Sequence, residues 1–402
     1  MGIDKQDLPY YLMPRPPQSA IDIQSGVDRY LFILLQAQAC IYRPVDDCVM
    51  SPVIEPKLES VAEMPMPKLL PEMRQEKAAA GGVLATLKLI VGYTRQLLQL
   101  RKQLSELPNR SEGLIHVNRV GCEIQTIAAR LAGFSTVVTT VHNLPGEDAP
   151  AQHWFRRCIE WLSFACGDRH ICVSHATFDA WHQRVGLRRD QVEIIYNGMT
   201  PPDYSQFDRD QYRSKLLPAA TDAVWIGICA RLHPMKGHAV LLQAFARLLQ
   251  GGEHPEVALV IAGSGGLDQE LQQLAKDLEI EDSVYFLGHR TDAIEFAAAI
   301  DINVLPSIHS ETLGYSLIEA MFAARPSVVS DVGGMKELVQ NSGGGKVVKA
   351  YDVEALADAL ACYLSNPTQM VADGQKAQSY ALEHLTADKM AAATMEAYAK
   401  LV

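Results

Sequence analysis

The stretch AVWIGICARLHPMKGHAVLLQAFARLLQ, residues 223–250, combines an apolar run, a short polar segment and an amphipathic segment. The run from 223 to 230 is continuously apolar, which is typical of a parallel strand covered by helices on both faces. After the polar segment, apolar side chains recur at helical spacing on one face, at Val240, Leu241, Ala244, Phe245 and Leu248. The stretch therefore predicts a strand, a loop and a helix, the repeating unit of an α/β fold.

The same alternation continues on both sides of this stretch. Toward the C-terminus, amphipathic segments alternate with the apolar runs VALVIAG, VYFLG, INVLP, PSVVSD and GKVVK. The first half repeats the pattern less regularly, in YYLM, LIHVN, STVVTTVH, HICVS and VEIIYNG. We therefore predict an α/β protein with this arrangement in both halves, and a doubly wound domain in the second half.

Proline, glycine and polar residues divide the chain into domains. The segment NGMTPPDYSQFD is typical of a turn and linker, so we expect an N-terminal domain over 1–198 and a C-terminal domain over 199–384. Residues 385–402 are predicted to form a helix with no strand after it, which could pack back on the N-terminal domain. Within the first half, we expect a helix over 27–39 and a long surface loop over 50–80.

The composition of the 402 residues excludes several classes of function. The formal net charge is −11 and lies entirely in the second half, whereas a general nucleic-acid binder would be basic. The apolar runs are shorter than the roughly 18 residues of a spanning helix, and the N-terminus lacks the pattern of a secretion signal. The eight cysteines show no metal-ligand spacing. We expect a cytoplasmic protein with reduced thiols, and the sequence does not indicate its oligomeric state.

Polar groups and glycines follow five predicted strands of the second half, at the strand ends where α/β sheets bind ligands. Cations, glycine turns and helix N-termini at one edge predict an anion site, and a diphosphate fits it best. The groups in chain order are Arg231 and Lys236, Gly265 and Gly266, His289 and Arg290, Glu311 with Gly314, and Gly333 with Gly334.

A second glutamate is expected inside the apolar helix that begins near Gly314. Glu311 precedes this helix, whereas Glu319 lies more than a turn further in. A buried carboxylate destabilises the protein unless partners satisfy it. Two hydroxyls of a ribose would do so, and a salt bridge to a cation elsewhere in the chain would do so equally well.

Four motifs in this order resemble glycosyltransferase family 4, within the GT-B group. They are RLHPMKG, GSGG, ETLGYSLIEAM with its E-x7-E glutamates, and DVGGMKELV. The resemblance is strong from about 192 to 345 and weaker before it, through SGVDRYLFILLQA, LIHVN, VVTTVHN and YNG. It implies two facing Rossmann-like domains with parallel sheets and a central cleft. It also implies transfer of a sugar from a nucleotide-sugar donor with retention of anomeric configuration.

The resemblance assigns roles to single residues. Arg231 and Lys236 would hold the diphosphate, and Glu311 would hold a hydroxyl of the donor sugar. Glu319 would hold the nucleoside ribose, and His142 would face the sugar and acceptor from the first domain. The remaining expected donor contacts are Gly26, Gly265, Arg290, Thr312, Leu313, Gly314, Tyr315 and Ser316.

The chain departs from the family pattern at a few positions. Ser25 stands where the family has a first glycine, Leu313 where it favours an aromatic residue, and Ala324 where it favours glycine. The first departure weakens the expectation that the loop at Gly26 approaches the diphosphate. The other two remove no catalytic group.

The expected donor and cofactors follow from family frequency and from the cations. UDP is the expected nucleotide of the donor, and GDP is the next choice. The sequence leaves the sugar and the acceptor open. A role in polysaccharide assembly is suggested only by its frequency in the family. A D-x-D motif holds a divalent metal in many transferases of other folds, but here Asp208-Arg209-Asp210 is expected on the surface of the linker. We expect neither a metal nor a cofactor.

Other interpretations stay open. The chain could be a catalytically inactive nucleotide-sugar-binding protein, or another GT-B enzyme such as an epimerase or a phosphorylase with lysine-linked pyridoxal phosphate. A dehydrogenase fits less well because no G-x-G-x-x-G opens the chain. The basic segment 82–104 predicts either a helix with a basic outer face or a peripheral contact with anionic lipid. His116, His170 and His175 are expected to be structural.

Overall fold

The fold is described from a computed structural model, which covers residues 10–13, 48–50, 61–63, 83–106, 110–111, 113–119, 123–146, 153–251, 254–309 and 311–401. The chain divides into two compact units. Unit 1 comprises Met1–Asn197 and Ala387–Val402, and unit 2 comprises Gly198–Thr386. The division after Asn197 falls at the segment that the sequence indicates as a linker.

Unit 1 contains a parallel sheet of five strands in the order β1-β4-β5-β6-β7, and β2 pairs separately with β3. The strands are β1 (Tyr10–Met13), β2 (Cys48–Met50), β3 (Val61–Glu63), β4 (Leu114–Arg119), β5 (Thr136–Val141), β6 (Arg169–Cys172) and β7 (Val192–Ile194). The helices among the described residues of unit 1 are α1 (Val83–Ser105), α2 (Glu123–Leu131), α3 (His153–Ala165), α4 (His175–Val185) and the C-terminal α13 (Ala387–Ala399).

Helices cover the sheet of unit 1 because its strands are apolar on both faces. In β5, five of the six residues are buried. On one face, Leu100 and Leu104 of α1 pack with Ile115 and Val117 of β4 in a single buried cluster. Burial of each such aliphatic side chain contributes about 1.5–3 kcal/mol to stability.

The C-terminal helix α13 packs on the sheet of unit 1. Its Tyr398 lies edge-on against His116, with ring centroids 5.6 Å apart, and is hydrogen-bonded to Nδ1 of that histidine. Nε2 of His116 is 2.7 Å from the Thr140 hydroxyl. Burial lowers the pKa of His116 to about 3. His116 is therefore neutral and structural. His170 is structural as well, because both of its ring nitrogens are hydrogen-bonded within unit 1.

Unit 2 contains a parallel sheet of six strands in the order β10-β9-β8-β11-β12-β13. The strands are β8 (Val224–Cys229), β9 (Val257–Ala262), β10 (Val284–Gly288), β11 (Ile302–Leu305), β12 (Ser327–Ser330) and β13 (Gly345–Val348). The helices are α5 (Arg209–Leu216), α6 (His238–Gln250), α7 (Asp268–Asp277), α8 (Ala293–Ala299), α9 (Tyr315–Phe322), α10 (Met335–Ser342), α11 (Val353–Ser365) and α12 (Pro367–His384). The predicted α/β class with parallel sheets in two Rossmann-like domains is confirmed.

The strand order of unit 2 reverses between β8 and β11. From β8 the sheet grows through β9 to β10 on one side, and from β11 through β12 to β13 on the other. The loops after β8 and β11 therefore leave the sheet edge in opposite directions and open a crevice. Lys236 lies in the first of these loops and Glu311 in the second.

The Asp208-Arg209-Asp210 motif begins a helix instead of lying in an open linker. The Asp208 side chain accepts a hydrogen bond from the Gln211 amide and caps α5. Arg209 forms an ion pair with Asp301, which also pairs with the buried Arg213. The Trp225 amide donates to Asp301 at 2.8 Å. These contacts hold the motif at the edge of the sheet where β8 and β11 begin. The crevice lies at the other edge, where these strands end.

Part of the first half lies outside the described residues. The predicted helix over 27–39 belongs to this part, and so does most of the predicted loop over 50–80. The prediction of an uninterrupted loop is wrong at Val61–Glu63, which pair with Cys48–Met50. Three-residue strands are too short to show an alternation pattern. Among the described helices, none is both long enough and apolar enough to span a bilayer.

Candidate active site

The loops after β8 and β11 are joined along their backbones. The Ile308 amide donates to the Met235 carbonyl at 2.9 Å. Gly237 adopts φ +71°, and a Cβ atom there would lie 1.9 Å from the Pro306 carbonyl oxygen. Only glycine permits this approach, because it has no Cβ and tolerates positive φ. The loop that carries Lys236 is therefore held against the loop that carries Glu311.

Lys236 and Glu311 form an ion pair within the crevice. Their side chains are 20% and 12% exposed, so the charges are largely shielded from water but reachable. The Ser307 hydroxyl donates to the same carboxylate oxygen of Glu311 at 3.2 Å. Ser307 is itself buried, and its carbonyl accepts a hydrogen bond from the Ser330 hydroxyl. The carboxylate of Glu311 is thus oriented by Ser307 in its own loop, which β12 supports, and by Lys236 in the loop after β8.

The glycine pair after β12 supports the backbone around Glu311. The Gly334 amide donates to the Thr312 carbonyl at 2.8 Å. Gly333 adopts φ +64°, and a Cβ atom there would lie 1.4 Å from the Glu311 carbonyl oxygen. Any larger residue at 333 would displace Glu311 or its own loop.

The loop after β9 supports the loop that carries Arg231. The Leu232 amide donates to the Ser264 carbonyl at 3.0 Å. A Cβ atom on Gly265 would lie 2.2 Å from the Leu232 carbonyl oxygen, whereas one on Gly266 would meet nothing within 4 Å. Arg231 is exposed, and no ion pair links it to another residue in the part of the chain that the structure describes. Its guanidinium is therefore accessible from solvent, on the loop that follows β8.

Helix α9 begins at the crevice, with Gly314 as its N-cap. Its positive dipole end, at Tyr315 and Ser316, favours negative charge nearby. Leu313 and Tyr315 are buried, whereas Thr312 and Ser316 are half-buried. These residues, predicted as donor contacts, therefore surround Glu311 on the same loop and helix start.

Glu319 is buried in the middle of α9, with 2% of its surface exposed. Tyr204, from the segment before α5, lies close enough for the two groups to interact. Burial and, to a smaller extent, the charge of Glu319 raise the pKa of Tyr204 to about 12. The phenol is therefore neutral. Glu319 is separated from Glu311 by the first turn of α9, as the sequence indicates.

Arg290, which follows β10, is held in a cluster of side chains rather than standing alone. Its guanidinium forms an ion pair with Asp292, and the Tyr212 hydroxyl donates to the same carboxylate at 2.9 Å. The side-chain hydrogen bond to Asp292 raises the pKa of Arg290 further, so the charge is permanent. Its side chain is 24% exposed. A ligand would meet a guanidinium whose orientation is already set.

His142 lies in unit 1 at the end of β5. Its Nε2 atom is 3.3 Å from the side-chain oxygen of Asn118, near the end of the neighbouring strand β4. Burial, with a smaller contribution from nearby His116, lowers the pKa of His142 to about 3. The imidazole is therefore neutral at neutral pH. Gly26 lies outside the described residues.

The structure adds residues that the sequence reasoning missed. Ser307 orients Glu311, Gly237 closes the Lys236 loop against β11, and Asn118 contacts His142. Ser307 and Asn118 are polar residues at or just after the end of an apolar strand, which is a signal that could have identified them. Gly237 follows Lys236 directly, but its close approach to Pro306 could not be read from one sequence.

The arrangement in unit 2 is suited to an anionic ligand with hydroxyl groups. Arg231, Lys236 and the start of α9 provide positive charge at one crevice. Glu311 provides an acceptor for a hydroxyl beside that charge. No cluster of three or more metal-ligating side chains occurs among the described residues. These features fit a diphosphate joined to a sugar.

Comparison with known families covers most of the chain. Residues 80–201 match the family described as Glycosyltransferase Family 4, and residues 208–380 match the family described as Glycosyl transferases group 1. The first region lies almost entirely in unit 1, and the second lies entirely in unit 2. The family that the motifs resemble is therefore the family that matches.

Two curated relatives and one solved structure are similar to this chain. The UDP-Gal:alpha-D-GlcNAc-diphosphoundecaprenol alpha-1,3-galactosyltransferase of Escherichia coli is 26% identical over 61% of this chain and 64% of its own length. The N-acetyl-alpha-D-glucosaminyl L-malate synthase of Bacillus anthracis is 26% identical over 63% of this chain and 65% of its own length. The chain thus spans just under two thirds of these relatives. The Anabaena protein HepE in complex with UDP superposes with a TM-score of 0.71 at 20% identity, over 97% of this chain and 99% of that one, which shows a shared fold.

Proposed function

This chain belongs to glycosyltransferase family 4, within the GT-B group, and we propose that it transfers a sugar from a nucleotide-sugar donor with retention of anomeric configuration. The donor is a UDP-sugar, and the acceptor is a glycan, a lipid-linked molecule or a small molecule. The ion pair between Lys236 and Glu311 at the crevice of unit 2 is the observation that best supports this. Two named proteins support the choice of nucleotide: HepE binds UDP, and the E. coli relative is named for UDP-Gal.

The cations account for departure of the leaving group. As the bond between the anomeric carbon and the diphosphate oxygen breaks, its electron pair moves to that oxygen and the sugar ring becomes positive. Arg231 and Lys236, with the start of α9, stabilise the charge on the diphosphate. The acceptor oxygen then bonds to the anomeric carbon from the same face, and its proton passes to the leaving phosphate. Each stabilising contact contributes roughly 10²- to 10³-fold in rate.

Glu311 and Lys236 can stay paired while the donor binds. An ammonium group has three N–H donors, so Lys236 can donate to a phosphate oxygen without releasing the carboxylate. The second oxygen of Glu311 then accepts from a hydroxyl of the donor sugar, close to the reacting carbon. Glu319, deeper in α9, accepts hydrogen bonds from the ribose hydroxyls. The imidazole of His142 is neutral, so the contact with the sugar that the family resemblance implies would add no positive charge.

The proposed reaction needs neither a metal nor a cofactor. Two cationic side chains at the crevice supply the charge that a divalent ion supplies elsewhere. Asp208 and Asp210, the aspartates of the D-x-D motif, lie on α5 or cap it, away from the crevice. We therefore expect the same transfer rate in the presence of a chelator.

A donor panel tests the proposal directly. Purified protein is offered UDP- and GDP-sugars, with and without chelator, while released nucleotide and thermal stabilisation are measured. We expect stabilisation and slow donor hydrolysis with at least one UDP-sugar. Lys236→Ala should lower hydrolysis by about 10²- to 10³-fold. A folded protein that responds to no donor refutes the proposal, and binding without hydrolysis or transfer indicates an inactive binding protein. Absorbance of bound pyridoxal phosphate would indicate a phosphorylase.

A further inference from the structure

Two helices of unit 1 expose large apolar side chains. On α3, Trp154 and Trp161 are 61% and 57% exposed. On α1, Val91 and Leu98 are 65% and 56% exposed. Tryptophan is highly buried on average. Two tryptophans this exposed on one short helix therefore indicate a binding surface.

The exposed apolar residues of α1 alternate with cations along one stripe. Val91, Arg95, Leu98 and Lys102 follow each other at spacings of four, three and four residues, which places them on the same side of a helix. All four are exposed. The sequence of α1 contains no aspartate or glutamate. This stripe is therefore both apolar and positively charged.

The exposed side of α3 has the same composition. Trp154, Arg157 and Trp161 recur at spacings of three and four residues and are all exposed. The single acidic residue of α3, Glu160, is 4% exposed and forms an ion pair with Arg184 at 2.8 Å. It faces the protein interior, so the exposed stripe of α3 contains no negative charge.

The two stripes belong to one surface of unit 1. Tyr93 of α1 and Phe155 of α3 contact each other edge-to-face, with ring centroids 6.0 Å apart. Helix α2 packs against both α1 and α3. Because connections between adjacent parallel strands are right-handed, α2 and α3 lie on the same side of the sheet. We call the exposed stripes of α1 and α3 together the α1–α3 face.

We propose that the α1–α3 face docks on a bilayer surface that contains anionic lipids. Tryptophan rings insert at the level of lipid headgroups, with their apolar body in the acyl boundary and the N–H toward water. The arginine and lysine side chains lie beside them and reach the phosphate groups with their charged ends. Charge complementarity identifies the lipid, because the face is positive in a chain whose net charge is −11.

A bilayer fits the face better than a protein partner does. The core of a protein interface is depleted of charge and has a polar rim around it. On the α1–α3 face, each exposed apolar residue instead has a cation within four positions along its helix. This mixture is typical of helices that lie in the plane of a membrane surface. The inference is independent of the proposed sugar transfer.

The two exposed tryptophans provide a direct test in the intact chain. The sequence has four tryptophans, and the other two, Trp181 and Trp225, are 1% and 0% exposed. The full chain is mixed with vesicles of phosphatidylcholine alone or with about 30% phosphatidylglycerol. We expect flotation with the anionic vesicles only, and quenching of the exposed tryptophans by lipids brominated near the headgroup. Raising salt from about 0.05 to about 0.5 M should release the protein, because it screens the cations.

Matched variants locate the binding surface. Arg95→Glu and Arg157→Glu should each weaken vesicle binding by at least about fivefold, the effect of one cation near an anionic surface. Trp154→Ala with Trp161→Ala should abolish it and remove the lipid quenching. Lys215→Glu, an exposed cation on α5 of unit 2, is the charge control and should bind as the parent does.

Specific outcomes would overturn the inference. Absence of flotation at low salt rejects it outright. Flotation that persists in the tryptophan variant, or that Lys215→Glu weakens as much as Arg95→Glu does, shows that another surface binds. A dimer in sedimentation that the tryptophan variant dissociates, without vesicle binding, assigns the α1–α3 face to a second copy of the chain.

Discussion

Replacing Gly333 by alanine tests whether the backbone behind Glu311 positions the site. The added Cβ atom would lie 1.4 Å from the Glu311 carbonyl oxygen, and a Cβ contact below 3.0 Å essentially never occurs. One of the two loops must therefore move by at least about 1.6 Å, since a packed interior has no free space to absorb the atom. A misplacement of about 1 Å costs roughly 10²-fold in rate. We expect Gly333→Ala to lower donor turnover by at least about 10²-fold.

Gly343→Ala separates displacement from backbone strain. Gly343 adopts φ +62°, nearly the same as the φ of +64° at Gly333, but an added Cβ there would meet only Lys376 Cδ at 3.7 Å. Alanine at either position costs about 1–2 kcal/mol of stability because of the left-handed backbone. Only the substitution at 333 also pushes on Glu311.

The assay is release of nucleotide from the best donor of the panel, with binding of free UDP and the thermal midpoint measured in parallel. We expect Gly343→Ala to melt earlier than the parent and to keep its turnover. Gly333→Ala should bind UDP with a smaller loss than its loss of turnover, because Arg231 is not attached to the displaced loop. Equal turnover in the two folded variants, within about threefold, would refute the positioning argument.

Further expectations concern other parts of unit 2. Gly265→Ala should lower turnover in the same assay because its Cβ would lie 2.2 Å from the Leu232 carbonyl oxygen, and turnover equal to that of Gly343→Ala would contradict this. Burial lowers the pKa of His238 from 6.5 to about 4, so the unfolded state binds more protons between these values and stability falls as the pH falls. Urea titrations measure the free energy of unfolding at each pH. Between pH 6.5 and about 4.5, this free energy should fall by about 2 kcal/mol less in His238→Phe than in the parent, and parallel pH profiles of the two proteins would contradict this. Asp301→Ala leaves the buried Arg213 without its carboxylate and should cost about 3–5 kcal/mol in unfolding experiments, with turnover per folded molecule unchanged because Asp301 lies opposite the crevice.

Local patterns were sufficient to predict the class of fold. The continuous apolar runs of β8, β9 and β11 predict parallel strands because a strand buried on both faces needs no polar side. The same patterns place Lys236 and Glu311 after strand ends, where parallel sheets bind ligands. The family motifs then identify the chemistry, and the matched regions 80–201 and 208–380 agree with them.

Other features depend on contacts between residues distant in the sequence. No pattern in one sequence indicates that Lys236 pairs with Glu311 or that Gly333 contacts the Glu311 backbone. The ion pairs that Asp301 forms with Arg209 and Arg213 are equally hidden. These contacts depend on the order of the strands, and an apolar run does not specify which strand lies next to it. The exposure of Trp154 and Trp161 has the same origin. Periodicity predicts the helix, but only the packed neighbours decide which of its sides meets water.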